Sequence, residues 1–480
     1  MFALWSFSLL LLAASSFAAP AQDLVTNLPG LNFVPNFKHY SGYLQASPKH
    51  FFHYWFAQSQ GNPATDPVIL WLNGGPGCSS VGGMMDELGP FHAMDFGGTI
   101  YENVYAWNKV GSVIFMESPA GVGYSYSTDS NLQTNDDEVA TDNYNALLYF
   151  FQTKFPELKN NDFYITGESY GGVYLPTLGA LLAKDKTNFP TFKGMAIGNG
   201  VLSFPLNYNT MVPLFYYHGL MRQSLWDSVS SECCNGNPTT CDYYTKLNSQ
   251  PCRSLIIKQL DSADDLDPYN LYASCYLPPK SKKSFIKNSF LRMAGIKPEE
   301  RTMSNLDTNI PICAQDNATE TYVNRADVRT ALHIPSSRPH WTDCNDYVNE
   351  HYTINYSNMV PQVNAILNAG VRVLIYNGDI DSVCNNVMNR QFIQLLGRSV
   401  LGTNTDMNKP WKYANEEPNV AGFVTKYSGG LDFVTVRGAG HFVPADKGRE
   451  ALQLIYNFIK NRDYSTPTGL STAPQPPASG

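Results

Sequence analysis

The chain has 480 residues, enough to bury a large core and, by length alone, to form two or three domain-sized units. Its formal charge of −8 leaves no basic surplus to neutralise phosphates, which excludes a general nucleic-acid binder. Composition is otherwise that of an ordinary globular protein, with aromatic residues plentiful at 13%.

Phe2 to Phe17 are apolar and small, with the run Leu9 to Ala14 at their centre, and Ser16 and Ala18 form a small-x-small cleavage pattern. We expect residues 1–18 to be a signal peptide, with the mature chain starting near Ala19, although no Lys or Arg precedes the run. The alternative is an uncleaved anchor. The run is shorter than the ~20 residues that a bilayer span needs, and no later segment supplies one. A secreted or lumenal protein is expected, with no membrane partner.

Strand-like runs follow in chain order at Val68 to Leu72, Ser112 to Met116, Phe163 to Thr166 and Met195 to Ile197. After a long gap come Val371 to Tyr376 and Phe433 to Val436. Rich in Val, Ile and aromatics, and bounded by Gly, Asn or Pro, they read as strands buried on both faces. Helical segments lie between them, among them Asp137 to Phe155, the stretch from Val173 onward and Arg449 to Lys460. This alternation predicts an α/β fold with a mostly parallel central sheet and helices on both faces.

Residues 201–320 differ in character and read as an insertion between core segments 19–200 and 321–463. Six of the nine cysteines fall here, five of them (Cys233, Cys234, Cys241, Cys252 and Cys275) within 43 residues, with no C-x-x-C pair, so disulfides are a better reading than zinc. The odd count leaves at least one thiol unpaired within the chain. From Lys280 to Arg301 the insertion is basic, with seven Lys or Arg against two Glu. That segment reads either as an excursion open to proteases or as a solvated helix face. Sequons at Asn317 and Asn355 fit an oxidising compartment. The tail over 464–480, mostly Ser, Thr, Pro, Ala and Gly, is expected to be disordered.

The chemistry centres on Gly167-Glu168-Ser169-Tyr170-Gly171, set between a strand-like run and a helix. A serine on such a sharp turn is the nucleophile elbow of α/β-hydrolases, and the glycines suit a turn too tight for neighbouring Cβ atoms. The pentapeptide alone is weak evidence. A serine hydroxyl needs a base, and the base needs an orienting carboxylate, in the order Ser, acid, His. Asp379 and Asp381 both follow the strand Val371 to Tyr376, and spacing does not choose between them. His441, alone among nine histidines, lies in a Gly-rich loop after the final strand. Two N–H donors for a tetrahedral intermediate should come from Tyr170 and from the loop Asn73-Gly74-Gly75-Pro76-Gly77.

Four ordered motifs coincide in this chain. They are Trp71-Leu72-Asn73-Gly74-Gly75-Pro76-Gly77-Cys78-Ser79-Ser80, Glu117-Ser118-Pro119-Ala120-Gly121-Val122-Gly123-Tyr124-Ser125, Gly167-Glu168-Ser169-Tyr170-Gly171-Gly172 and Gly438-Ala439-Gly440-His441. With them the chain, from about residue 24 to 463, resembles the serine carboxypeptidases, and among these the cathepsin A type. The resemblance selects Asp381, because the family's aspartate lies three residues before a cysteine, here Cys384. It implies oxyanion donors at the backbone N–H groups of Gly75 and Tyr170. It assigns the substrate's free C-terminal carboxylate to Asn73, Glu87 and Glu168, helped by the N–H of Gly74 and packing from Trp71. It pairs Cys78 with Cys344, Cys233 with Cys252, Cys234 with Cys241 and Cys275 with Cys313. Cys384 is then the free thiol, lining the pocket for the departing residue. The insertion becomes a cap, excised within that segment in similar proteins. Phe442 stands where many relatives carry Met, which leaves detailed specificity open.

The implied protein is a serine carboxypeptidase that releases C-terminal, preferentially apolar residues through an acyl-enzyme on Ser169. His441 would act as base and then acid, and Asp381 would fix its tautomer. Two glutamates facing a substrate carboxylate repel it unless a proton is shared, so activity should be strongest at acidic pH. No metal or cofactor is implied. The expected partners are peptides with a free C terminus; the resemblance adds lysosomal glycosidases, a homodimer, and a lysosomal or extracellular destination. An acyltransferase or esterase of the same fold is the rival enzyme, and a purely stabilising partner protein the rival of another class.

Overall fold

Apolar runs that lack polar alternation become the middle of one twisted sheet. The structure is a computed structural model that describes residues 19–261, 266–273, 318–403, 407–415 and 418–478. The sheet's strands are β1 His39–Gln45, β2 His50–Ala57, β3 Val68–Leu72, β4 Ser112–Met116, β5 Phe163–Ser169, β6 Phe192–Gly200, β7 Arg372–Gly378, β8 Lys409–Lys412, β9 Val420–Tyr427 and β10 Leu431–Val436. Their spatial order is β1-β2-β4-β3-β5-β6-β7-β10-β9-β8, with the short strand Tyr126–Ser127 added on β2. Pairing is parallel from β4 through β10 and antiparallel at both edges.

Each central strand feeds two cores. In β3, Val68, Leu70 and Leu72 enter one while Ile69 and Trp71 enter the other, and β4, β5, β6 and β7 divide in the same way. Successive side chains point to opposite faces, so burial of both faces removes any polar alternation.

The principal helices are α1 Asp136–Tyr149, α2 Gly171–Lys184, α3 Phe204–Tyr217, α4 Gln223–Cys233, α5 Cys252–Asp261, α6 Val360–Asn368, α7 Asn386–Leu395 and α8 Gly448–Ile459. Helices α1 and α6 both pack on α2, and their buried residues join the first core. Leu452, Ile455 and Phe458 of α8 join the second, on the opposite face. The Asn135 side chain caps α1 by accepting from the N–H groups of Asp137 and Glu138. The helix expected over Asp137 to Phe155 ends as α1 at Tyr149 and continues as a wider turn over Phe150–Lys154. No helix among the described residues is long and apolar enough to cross a membrane.

The expected insertion at 201–320 is described for 201–261, 266–273 and 318–320. Disulfides Cys233–Cys252 and Cys234–Cys241 cross-link its helices α4 and α5 and the loop between them, while Cys78–Cys344 joins the loop after β3 to the second core segment. Residues 1–18, the segment Lys280 to Arg301, Cys275, Cys313 and Asn317 lie outside the described residues. Asn355 is exposed.

The tail expected to be disordered is instead docked over 464–478. Tyr464 is buried and donates its hydroxyl to Asp432 at 2.7 Å, and its carbonyl accepts from Gln453 and Asn457. Further on, Val34 N–H donates to Pro476, Ala478 N–H to Asn32, and Gln475 N–H to Glu102. Composition misleads here because one aromatic anchor and paired backbone groups suffice to hold a Pro-rich strand. Replacing Tyr464 by Ala should cost about 3 kcal/mol of stability, as for a buried aromatic, measured by denaturant unfolding. A change within the noise would mean that the tail contributes nothing to the fold.

Candidate active site

Strand β5 ends at Ser169, whose φ of +59° is unusual for a residue with a side chain. Helix α2 begins two residues later with Tyr170 as its cap, so the first N–H groups of the helix have no intrahelical acceptor and face the turn. Close approach of the loop after β3 makes the turn this tight. A Cβ on Gly74 would lie 2.3 Å from the Tyr170 nitrogen and 2.7 Å from Ser169 Cβ, and one on Gly167 would lie 2.2 Å from the Leu72 carbonyl oxygen. Gly75 has φ of +111° and precedes a cis peptide to Pro76. The structure thus brings Gly74, Ser169 and Tyr170 together, with Gly75 next in the loop.

Tyr170 is anchored from behind. Its hydroxyl and that of Tyr352 both donate to Asp136 Oδ1, at 2.8 and 2.9 Å, and Asn355 N–H donates to Oδ2 at 2.7 Å. Burial raises the Asp136 carboxyl, and these donors oppose that rise.

Of the two candidate aspartates, Asp381 meets the histidine. His441 Nδ1 lies 2.8 Å from Asp381 Oδ2, and both side chains are buried. Asp381 also accepts from Asn199 Nδ2 at 2.8 Å, Val383 N–H at 2.7 Å and Cys384 N–H at 3.1 Å. Four donors thus fix the carboxylate in place beside the imidazole. Asp379 instead accepts from Gly438 N–H at 2.7 Å, and burial raises its carboxyl. With Nδ1 bonded to a carboxylate, Nε2 is the ring nitrogen left to exchange a proton. Asn199 escaped the sequence reading. It is a bulge residue between Gly198 and Gly200 on β6, with φ of +40°, and the bulge turns its amide toward Asp381 and Gly378. The signal was an Asn flanked by glycines at a strand end.

Asn73 organises a second cluster. Its Oδ1 accepts from Trp71 Nε1 at 2.7 Å and Gly83 N–H at 3.2 Å, which fixes the amide orientation. Its Nδ2 then donates to Glu87 Oε1 and Glu168 Oε1, each at 2.9 Å. Both glutamates are buried. One amide nitrogen therefore holds two carboxyl groups side by side, one residue from Ser169. Cys384 closes this side, hydrogen-bonded to the Ser169 side chain. Burial, then the charges of Asp381 and Glu168, push its thiol well up, so it stays protonated. Over the histidine lies Tyr269, which the sequence reading also missed. Its carbonyl accepts from His441 N–H at 2.7 Å, and its ring centre is 4.6 Å from that of His441 and 4.9 Å from that of Phe442.

Metal-like convergence of donor atoms occurs elsewhere among the described residues, at His50, Glu138 and Asp142, where His50 Nδ1 is already paired with Asp142 at 2.6 Å.

Comparison with known proteins identifies the family of this chain. A family model described as serine carboxypeptidase matches residues 29–461. Serine carboxypeptidase ctsa-4.1 of Caenorhabditis elegans is 52% identical over 470 residues, covering 96% of this chain and 99% of that protein. The lysosomal protective protein of Mus musculus is 40% identical over 467 residues, covering 94% and 96%. Among solved structures, the prohormone-processing carboxypeptidase Kex1(delta)p from Saccharomyces cerevisiae superposes with a TM-score of 0.72. It is 22% identical, over 92% of this chain and 96% of that one, and so shares the fold.

The two aspartates should separate cleanly in kinetics. Asp381→Asn should lower kcat by about 10⁴-fold, because an amide facing Nδ1 favours the wrong tautomer. Asp379→Asn should leave kcat near the wild-type value. Equal losses in the two variants would contradict the arrangement.

Proposed function

As the chain belongs to the serine carboxypeptidase family and is a serine-type peptidase, we propose that Ser169, His441 and Asp381 carry its reaction. The Ser169 hydroxyl attacks the carbonyl of the last peptide bond while His441 Nε2 takes its proton. Negative charge on the carbonyl oxygen meets the N–H groups of Gly75 and Tyr170. His441 then protonates the departing amino acid, leaving an acyl-enzyme that water hydrolyses by the reverse proton path. Asp381 holds the imidazole in orientation and stabilises its charged form.

The observation that carries the substrate reading is the Asn73 amide donating to both Glu87 and Glu168. A substrate carboxylate entering beside two ionised glutamates would be repelled. With a proton shared among the three groups it is bound instead, by an acid hydroxyl and by backbone N–H at Gly74. Trp71 fixes Asn73 rather than facing the substrate as a packing surface alone. Acyl transfer or simple ester hydrolysis has no use for such a cluster, which favours peptides with a free C terminus. Aromatic lining from Tyr269 and Phe442 near the histidine supports a preference for apolar residues.

The name of the mouse relative places that protein in the lysosome. We infer an acidic, oxidising compartment of the secretory route for this chain, which suits three disulfides and an exposed sequon at Asn355. A partnership with lysosomal glycosidases, or a homodimer, would be a separate property that Ser169→Ala leaves intact.

The sign of the pH dependence follows from the shared proton. Protonation of the glutamate pair favours carboxylate binding, so affinity is full at low pH and fades as pH rises and the proton is lost. With a blocked apolar dipeptide, kcat/KM for the free acid should fall about tenfold per pH unit above the midpoint, through KM. The C-terminal amide should be a poor substrate without that limb. Glu87→Gln and Glu168→Gln should each flatten the KM profile; an unshifted profile in both would count against the cluster's role.

A further inference from the structure

The row of residues that carries Glu168 continues across the sheet. Glu168 on β5 is in register with Gly198 on β6, and Gly198 with Tyr376 on β7. Register partners project from the same face. Glu168 and Tyr376 therefore leave the sheet on one side, with a glycine between them. A Cβ on Gly198 would lie 2.5 Å from both Cζ and the hydroxyl oxygen of Tyr376. The tyrosine ring thus lies over the gap that the glycine leaves. Its hydroxyl sits above Gly198, about one strand spacing (~4.8 Å) from the Glu168 backbone. That hydroxyl is buried and has no hydrogen-bond partner among the described residues.

We propose that Tyr376 is a positioning residue of the terminal-carboxylate site, donating its hydroxyl to Glu168 when the glutamate pair gives up its shared proton. The inference rests on the reading of Glu87 and Glu168 given above. A buried hydroxyl without a partner is a cost that phenylalanine would not carry, and this one lies beside the group that gains charge as pH rises. Burial, then the charges of Glu168 and Glu87, hold the phenol well above its ordinary range, so it remains a donor throughout. A donor waiting for the ionised carboxylate stabilises that form. Tyr376 therefore sets the upper pH limit of carboxylate binding.

Other ionisable groups reach the same region from the packed elements. The Cys384 thiol faces Glu168 and Asp381 from the loop after β7. The turn Val443–Asp446 packs on the turn carrying Glu87 and brings Asp446, which accepts from Gly440 N–H and Asn270. His441 and Asp381 are paired with each other. None of these is changed by removing the tyrosine oxygen.

The test is the pH profile of KM and kcat for Tyr376→Phe in the full-length enzyme, with the same free-acid dipeptide. The midpoint of the KM rise should move up by about one pH unit. KM above the wild-type midpoint should then be about tenfold lower. The acid-side kcat should be unchanged and the thermal midpoint no lower than wild type. In a Glu168→Gln background the same substitution should produce no shift. An unmoved midpoint overturns the proposal. So does a KM raised equally at every pH, which would make the hydroxyl a donor to the substrate. If Glu87→Gln and Glu168→Gln leave the profile unmoved, the cluster reading fails and this inference with it. If they move it and Tyr376→Phe does not, this inference alone fails.

Discussion

The backbone of Leu72 to Gly75 lies against the backbone of Gly167 to Tyr170, and the site depends on that contact. Gly74 touches the Tyr170 nitrogen and Ser169 Cβ, and Gly167 faces the Leu72 carbonyl, at distances no Cβ allows. Parallel pairing of β3 with β5 brings the two segments side by side, and the turn at Ser169 then takes its positive φ. From this one approach follow three placements. The serine is lifted at the strand end, the Tyr170 N–H is directed into the same space as the loop, and Asn73 comes within reach of Glu168. The disulfide Cys78–Cys344 and the Asp136 anchor on Tyr170 hold the two sides together from without.

Two buried acids near the serine are handled in opposite ways. Asp381 is surrounded by four donors, among them the His441 ring. Glu168 shares one amide with Glu87, an environment that disfavours two charges. The separation has a plain origin in the sheet. Asp381 sits in the loop after β7, where free backbone N–H groups and the Asn199 bulge converge. Glu168 points from β5 into the core face with Trp71, where donors are few. One acid is thus held by donors against an imidazole, and the other is held beside a second carboxyl group.

Central strands were legible because burial on both faces leaves an unbroken apolar run: Val68–Leu72 and Ser112–Met116 are found with the expected bounds. Edge strands were not. In β1 the buried face includes His39 and Ser41, which read as polar punctuation. The serine and histidine were singled out from their loops, while spacing left Asp379 and Asp381 open; the resemblance chose Asp381, and the structure pairs it with the histidine. Asn199, Tyr269 and Tyr376 were not legible, because their placement comes from a bulge, a crossing segment and a register row. Only Asn199, flanked by glycines at a strand end, leaves any local pattern. The tail misled for the converse reason, as its composition lacks a core but Tyr464 supplies one anchor.

A connected serine–histidine–acid chain elsewhere in the molecule shows why distances alone do not make a nucleophile. Ser41 Oγ lies 2.9 Å from His53 Nε2, and His53 Nδ1 lies 2.8 Å from Glu117 Oε2. All three side chains are sealed from solvent. The Ser41 hydroxyl donates its proton to the Leu332 carbonyl at 2.7 Å, so it accepts from the histidine rather than giving to it. Ser41 also lies within a strand, with neither a strained turn to present it nor helix N–H groups beside it. Glu117 meanwhile accepts from Trp341 Nε1, Tyr124 N–H and the Ser79 hydroxyl. Those bonds tie the strand end of β4 to the loop that carries Gly75. Serine, histidine and a carboxylate thus make a brace in this part of the fold. What separates the two serines is the backbone: Ser41 is sealed within a strand, while Ser169 ends one on a positive φ beside the first N–H groups of a helix.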